Sequence, residues 1–456
     1  MSVSDVLNVA QSALAAQQFM MNSIGENIAN ADTPGYTVEQ PSLVPTTPVI
    51  TSEGAVGTGV TVGDTQRLRN TFLDQEYRGE AGLNGQYATT QNLLNQVQTG
   101  LGEPGSSGLS TSLDGFFNAF TTLTSDPSNA TDLAAVQQAG SSLVQNFQSV
   151  SQSLTSVGQT AVSQLQSDVS QANQLLSQIQ QLNQQIVAAQ PSGGAPTLED
   201  QRDTDIDQLS TLMGVTTVDY PNGAVGVMAG GTVLADGAQS ATLSVVASGS
   251  GYGVSINGSA TAASITTGNI GAISTFTQTT LPGMQNQLNT LASSLVTAVN
   301  TLSESGTVTG TTVTGVPFFN PADTTASTIA LSAQVQASPS NIVTGTSGDP
   351  GDSSIASQIA QLAQAPNAAL GNQSIPAYYA SFVSGVGTQA QTAQQNSTAQ
   401  QTLVSNITNQ RDAADGVNTD TQLVDMIQTQ EAYTAAAQLV NVANQMLQTL
   451  LQTVSG

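Results

Sequence analysis

The segment AYTAAAQLVNVANQMLQTLLQTVSG (residues 432–456) carries no charged side chain, yet its apolar residues return at three- and four-residue steps. Tyr433, Ala437, Val440, Leu447, Leu451 and Val454 fall on one seam, with Asn444 as a polar interruption and Leu423 and Met426 extending it upstream. The first 30 residues repeat the pattern through Val3, Leu7, Ala10, Leu14, Met21, Ile24 and Ile28, broken by Gln17. This alternation is the heptad signature, and it predicts a coiled-coil helix at each end. Ordering so long a backbone costs more than one such seam recovers by burial, so both helices are expected to dock on neighbouring subunits. The expected contact residues are Val3, Leu7, Leu14, Met21, Ile24 and Ile28 on the first helix. On the last they are Leu423, Met426, Tyr433, Val440, Leu447 and Leu451. The polar seam residues Gln17, Gln430 and Asn444 suit the fixing of register at some cost in stability.

Composition narrows the function. The 456 residues suffice for two to four domains. Charged residues are 8%, against about 25% in an ordinary soluble domain, and amide and hydroxyl side chains supply the polarity instead. There is no lysine, and the five cations are all arginine. A net charge of −25 argues against binding nucleic acid, which requires clustered cations, and against anionic membrane surfaces. His, Cys and Trp are absent, which removes Ser-His and Cys-His nucleophiles as well as thiolate and imidazole metal sites. No Lys or Arg precedes Arg67, so a cleavable signal peptide is not expected, and the amides of the uncharged final stretch argue against a membrane span.

The punctuation along the chain gives its organisation. Ser2-x-x-Asp5 reads as a capping box opening the first helix, which Pro34 and Gly35 end. Residues 36–66 read as extended, helix resumes near Leu68, and residues 110–190 are dominated by helix. Short strands with turn signals fill 214–270, helix returns over 278–303, and a second β region is expected over 305–345. Helix then dominates to the end, the last one opening at Thr419-x-x-Gln422, a second capping box. The expected fold is mainly α with a β-rich insert (α+β): terminal coiled-coil helices, a long-helix bundle and an outer antiparallel β domain. Its expected parts are 1–66 with 415–456, then 67–213 with 271–304 and 350–414, then 214–270 with 305–349.

Local motifs for chemistry are weak. Asp203-x-Asp205-x-Asp207 starts like a calcium loop, but Gln208 and Gly214 stand where glycine and glutamate are required, so a solvated helix face is expected. Gly249-x-Gly251-x-Gly253 reads as a turn between strands, and the sequon at Asn129 as chance. No carboxylate pair stands in a glycosidase context, so no enzyme, cofactor or metal site is expected.

Five segments are more specific. NIANADTPGY (residues 27–36) resembles the N-terminal signature of bacterial flagellar rod, hook and hook-associated proteins, carried by Asn27, Asn30, Pro34, Gly35 and Tyr36. DGFFNAF (114–120) with the following SDP (125–127), LEDQRD (198–203) and VPFF (316–319) resemble the hook-associated protein 1 family. So does the end, from NQRD (409–412) through GVN (416–418) and QEAY (430–433) to Leu451. The resemblance spans nearly the whole chain in the right order. It departs from the pattern at Thr37-Val38-Glu39-Gln40 and in its scarcity of cations, so charge-based contacts of relatives are not carried over. The resemblance implies a structural adaptor of the flagellum, exported without a cleaved signal peptide and extracellular. It would form a junction ring of identical copies between hook and filament. The implied partners are the hook protein, the next hook-associated or filament-junction protein and an export chaperone that takes the C-terminal helix. Rival readings are another axial subunit (hook protein or flagellin), or a secreted protein that binds or cleaves glycans.

Overall fold

The computed structural model describes residues 2–51, 54–105, 108–192 and 194–455; of the seam positions above, the Val454 side chain lies outside the described residues. In chain order the elements begin with α1 (Val3–Ala29), β1 (Glu39–Pro45), β2 (Val49–Thr51), β3 (Gly54–Val56), β4 (Val60–Arg67) and α2 (Thr71–Leu101). Then come α3 (Leu109–Leu123), α4 (Ala130–Ala189), α5 (Pro196–Met213), β5 (Thr216–Asp219), β6 (Val225–Ala229), β7 (Thr232–Ala235), β8 (Leu243–Ser248) and β9 (Gly251–Ile256). The rest are α6 (Gly268–Thr275), α7 (Leu281–Glu304), β10 (Thr307–Val308), α8 (Ala333–Ala337), β11 (Val343–Gly345), α9 (Ser354–Gln361), α10 (Ile375–Asp415) and α11 (Thr419–Ser455). The fold is helix-rich with small antiparallel sheets, as the sequence implies.

Helix starts follow local chemistry. Ser2 Oγ accepts from the Asp5 amide at 3.2 Å while the Asp5 carboxylate accepts from the Ser2 amide at 2.7 Å, a complete capping box. Asn70 caps α2 by accepting from the Phe72 and Leu73 amides, which delays that helix to Thr71. Asn129, the sequon asparagine, caps α4. At α11 the expected box is replaced: Asn418 Oδ1 accepts from the Asp420 and Thr421 amides at 3.1 Å each, and the Gln422 side chain is used elsewhere. An Asx cap one residue earlier satisfies the same orphan donors and frees Gln422.

The chain forms two compact units, 1–84 with 170–243 and 400–456, and 85–169 with 244–399. In the first, α1 packs along α11, β1 pairs antiparallel with β4, β2 with β3, and β5–β6–β7 form a three-stranded antiparallel sheet beside α5. Asn183 of α4 brackets Val225, donating to its carbonyl at 2.8 Å and accepting from its amide at 2.9 Å; Asn173 treats Leu243 in the same way.

In the second unit Phe116 and Phe120 of α3 pack edge-on against Phe318, with ring centroids 5.4 and 5.5 Å away, and Phe319 completes the cluster. The β region expected over 305–345 is reduced there to the two-residue β10 paired with β11. Gly310, Gly315, Pro317 and Pro321 interrupt any strand, and helix side chains take over the backbone bonds. Asn300 brackets Phe319 at 2.9 Å on both sides, and Ser303 donates to the Val316 carbonyl at 2.8 Å. The backbone is satisfied without a sheet.

Candidate functional site

The first unit gathers the terminal helices and three of the five signature segments. Asn27 sits at their meeting point, only 1% exposed. Its Nδ2 donates to the Glu39 carbonyl at 2.9 Å and to Gln422 Oε1 at 3.0 Å, and its Oδ1 accepts from the Glu39 amide and the Tyr36 hydroxyl, each at 2.9 Å. One amide therefore ties together α1, the turn, β1 and α11. Burial, with Glu39 and Glu26 nearby, raises the Tyr36 hydroxyl well above its ordinary value, so it stays a donor. Gly35 has φ +81°, and a Cβ there would lie 2.7 Å from Thr204 Oγ1, so both backbone conformation and space require glycine. Asn30 and Pro34 line a cleft of about 430 Å³ beside this turn, together with Glu26, Glu39, Asp200 and Asp205. Burial pushes Asp205 up to about 6 and raises Glu39.

Behind the turn lies an ion cluster containing every cation of the chain. Arg67 reaches Glu199 at 2.8 Å, Asp200 at 2.5 Å and Asp203 at 3.0 Å. Arg69 pairs with Asp74 and Asp203; Arg78 reaches Asp207 at 2.7 Å and Asp203 at 3.4 Å. Arg411, from the end of α10, lies 2.8 Å from both Asp74 and Asp207, with its guanidinium 4.5 Å from the Tyr77 ring centre. Arg202 stands 3.7 Å from Asp203 and donates to the Gly223 carbonyl at 2.8 Å. Asp200 also accepts from the Thr37 amide and hydroxyl, joining cluster to turn. The expectation of a solvated face for Asp203 and Asp207 is thus corrected: α5 turns them inward because arginines from β4, α2 and α10 converge there. Burial alone would raise Asp203, but Arg69, Arg67, Arg202 and Arg78 outweigh it and hold its carboxyl below the usual range. Guanidinium suits this work, being weakly hydrated and forked. Five arginines meet five carboxylates, so the net charge of −25 resides wholly outside the cluster.

The helix pair itself is antiparallel, since Asn27 near the end of α1 meets Gln422 in the first turn of α11. Along α11 the buried residues are Gln422, Thr429, Ala436 and Ala443, spaced by seven and nearly all small. The expected seam straddles this line: Leu423, Ala437 and Asn444 lie one residue past its rungs, while Met426, Tyr433, Val440 and Leu447 lie four past them. Leu423, Tyr433, Leu447 and Leu451 are exposed, and Met426 and Val440 half-buried. Val424, Ile427, Leu439, Val442, Met446 and Leu450 are exposed as well, Ile427 by 57%. On α1 the expected seam is the covered face: Ile24 and Ala10 are buried, and Val3, Leu7, Leu14, Met21 and Ile28 are half-buried. Counted residue for residue from the Asn27–Gln422 bond, the start of α1 falls at about residue 446, with Leu447, Leu450 and Leu451 past that point.

Family models match in three places. The flagellar hook-associated protein FlgK helical domain matches residues 94–319, the flagella basal body rod protein residues 7–37, and the flagellar basal body rod FlgEFG protein C-terminal residues 413–453. The chain belongs to the FlgK family of flagellar hook-associated proteins. The rod models cover α1 with its turn and α11, whereas the helical-domain model separates this family from other axial subunits. Flagellar hook-associated protein 1 of Bacillus subtilis is 28% identical, aligned over 97% of this chain and 96% of its own length. That of Salmonella typhimurium is 25% identical over 98% and 100%. The structure of the flagellar hook junction protein FlgK from Burkholderia pseudomallei superposes with a TM-score of 0.62 at 17% identity, covering 74% of this chain and 99% of that one, and shows the shared fold.

Proposed function

We propose that this chain is a non-enzymatic structural adaptor of the bacterial flagellum, joining hook to filament as a ring of identical copies. The observation that carries the reading is the division of α11 into two faces. Small residues close the helix against α1, while its large apolar side chains face outward. A row of exposed Leu, Ile, Val and Met on one helix is costly in water and marks a contact surface. The proposed contact residues are Leu423, Tyr433, Leu447 and Leu451, joined by Ile427 and Leu450. The half-buried Met426, Val440, Val3, Leu7, Leu14, Met21 and Ile28, with buried Ile24, hold the pair itself.

Partners are the hook protein on one side and the next hook-associated or filament-junction protein on the other, with an export chaperone shielding α11 beforehand. The chain is exported and works outside the cell. Among the described residues no helix is long and apolar enough to cross a membrane. Ile427→Asp and Leu450→Asp test the reading in cells lacking the native copy. Both positions are open on the isolated chain, so purified variants should melt like the parent. The cells should assemble hooks without filaments. Normal filaments on such cells would overturn the proposal.

A further inference from the structure

The second unit holds a cleft of about 730 Å³ walled by α2, α4 and α6. Its lining is unusually rich in amides, with Asn92, Asn95, Gln96, Gln164 and Asn269, and Asp168 is the one titratable group in it among the described residues. Asp168 is 3% exposed. Its Oδ1 accepts from Gln164 Nε2 at 2.7 Å, while its buried Oδ2 has no hydrogen-bond partner among the described residues. An unpaired carboxylate oxygen away from water is expensive to keep, and native proteins retain few of them without a use. Burial raises the carboxyl, and the Gln164 bond offsets that only in part. Gln164 is an exposed side chain one helical turn earlier, so its amide can swing away and leave Oδ1 without a partner, as Oδ2 already is.

We infer that this cleft receives a guanidinium group, the side chain of an arginine on a different protein. A planar fork of donors matches a carboxylate flanked by amide oxygens, and weak hydration lowers the cost of entering a walled site. A second copy of this chain cannot supply the group. It has no lysine, and its five arginines are all held in the ion cluster. The partner is therefore a foreign chain presenting an exposed arginine. This inference is independent of the proposed role of the terminal helices.

Saturation-transfer NMR on the full chain with the blocked peptide Gly-Arg-Gly tests it, with the lysine and citrulline peptides in parallel. Citrulline keeps the shape of arginine and loses the charge. The arginine peptide should bind saturably, the citrulline peptide at least about tenfold more weakly, as loss of a charge-assisted contact implies. Asp168→Asn should weaken arginine binding by a similar factor. Thr160→Tyr, at an exposed wall position, should block the cleft without altering the melting temperature, so the test survives if Asp168→Asn misfolds. Equal binding of the arginine and citrulline peptides, or binding undiminished in both variants, would overturn the assignment. Preference for lysine over arginine would overturn the guanidinium specifically.

Discussion

Asp203 is the point at which the ion cluster can be tested most sharply. Asp203→Asn keeps the shape of the side chain and creates no cavity, so its effect is electrostatic. The native carboxylate faces Arg67 at 3.0 Å, Arg78 at 3.4 Å and Arg202 at 3.7 Å, and pairs with Arg69. After substitution Arg67 keeps Glu199 and Asp200, Arg69 keeps Asp74, and Arg78 keeps Asp207. Arg202 keeps Asn183 and the Gly223 carbonyl, but no carboxylate. Removing one partner of a buried ion pair costs about 3–5 kcal/mol, and the surviving pairs place this case near 3. Hydrogen exchange reads that locally as roughly hundredfold faster exchange across α5 and the start of α2. The pH dependence gives a second check. Because the folded carboxyl is held below its unfolded value of about 3.9, its contribution is present above that value and lost as pH falls through the folded one. Parent and variant should therefore converge in acid. A protection loss below about 1 kcal/mol, typical of exposed pairs, or a difference that acid leaves intact, would refute the reasoning.

Three further outcomes follow from the turn. Asn27→Ala strands the Glu39 amide and the Tyr36 hydroxyl and leaves the Glu39 carbonyl only the Ser23 hydroxyl at 3.4 Å; at about 1–3 kcal/mol per unsatisfied group it should loosen α1 from α11, read as faster exchange in both helices. Gly35→Ala should cost about 1–3 kcal/mol through its positive φ and the close Thr204 hydroxyl, measured by urea unfolding, and Thr204→Ala should recover part of it. Asp205, with its carboxyl pushed up to about 6, binds its proton more tightly folded than unfolded, so stability falls as pH rises from about 4 through 6. Asp205→Asn should flatten that slope and stabilise the protein near neutrality by about 1–2 kcal/mol, visible as a raised melting temperature; an unchanged pH profile would count against the burial argument.

Periodicity and punctuation made the helices legible. The helical periodicity of α1 and α11, the Ser2 box and the break that follows α1 are local signals, and they stand in the structure. The side of α11 that meets α1 was not legible, because Gln422, Thr429, Ala436 and Ala443 are small or polar. A hydropathy seam weights Leu, Tyr and Val, whereas a close helix crossing selects for lack of bulk. The ion cluster was hidden because its members lie up to 344 positions apart, from Arg67 to Arg411. One signal was available: in a chain with five cations, Arg202 and Arg411 fall inside the signature segments LEDQRD and NQRD. The loss of the second β region follows from Asn300 and Ser303, whose ability to stand in for a neighbouring strand no sequence window reveals.

The unequal lengths of α1 and α11, 27 and 37 residues, have a mechanical consequence. Counted from the Asn27–Gln422 bond, about nine residues of α11 run past the capped start of its mate, a step of roughly 13 Å at 1.5 Å per residue. In the assembly proposed above, stacked subunits with such a ledge would interlock like staggered bricks, each tail bearing on the molecule above or below. Shear along such an assembly would then be resisted by overlap across layers, with no single plane along which it could slip.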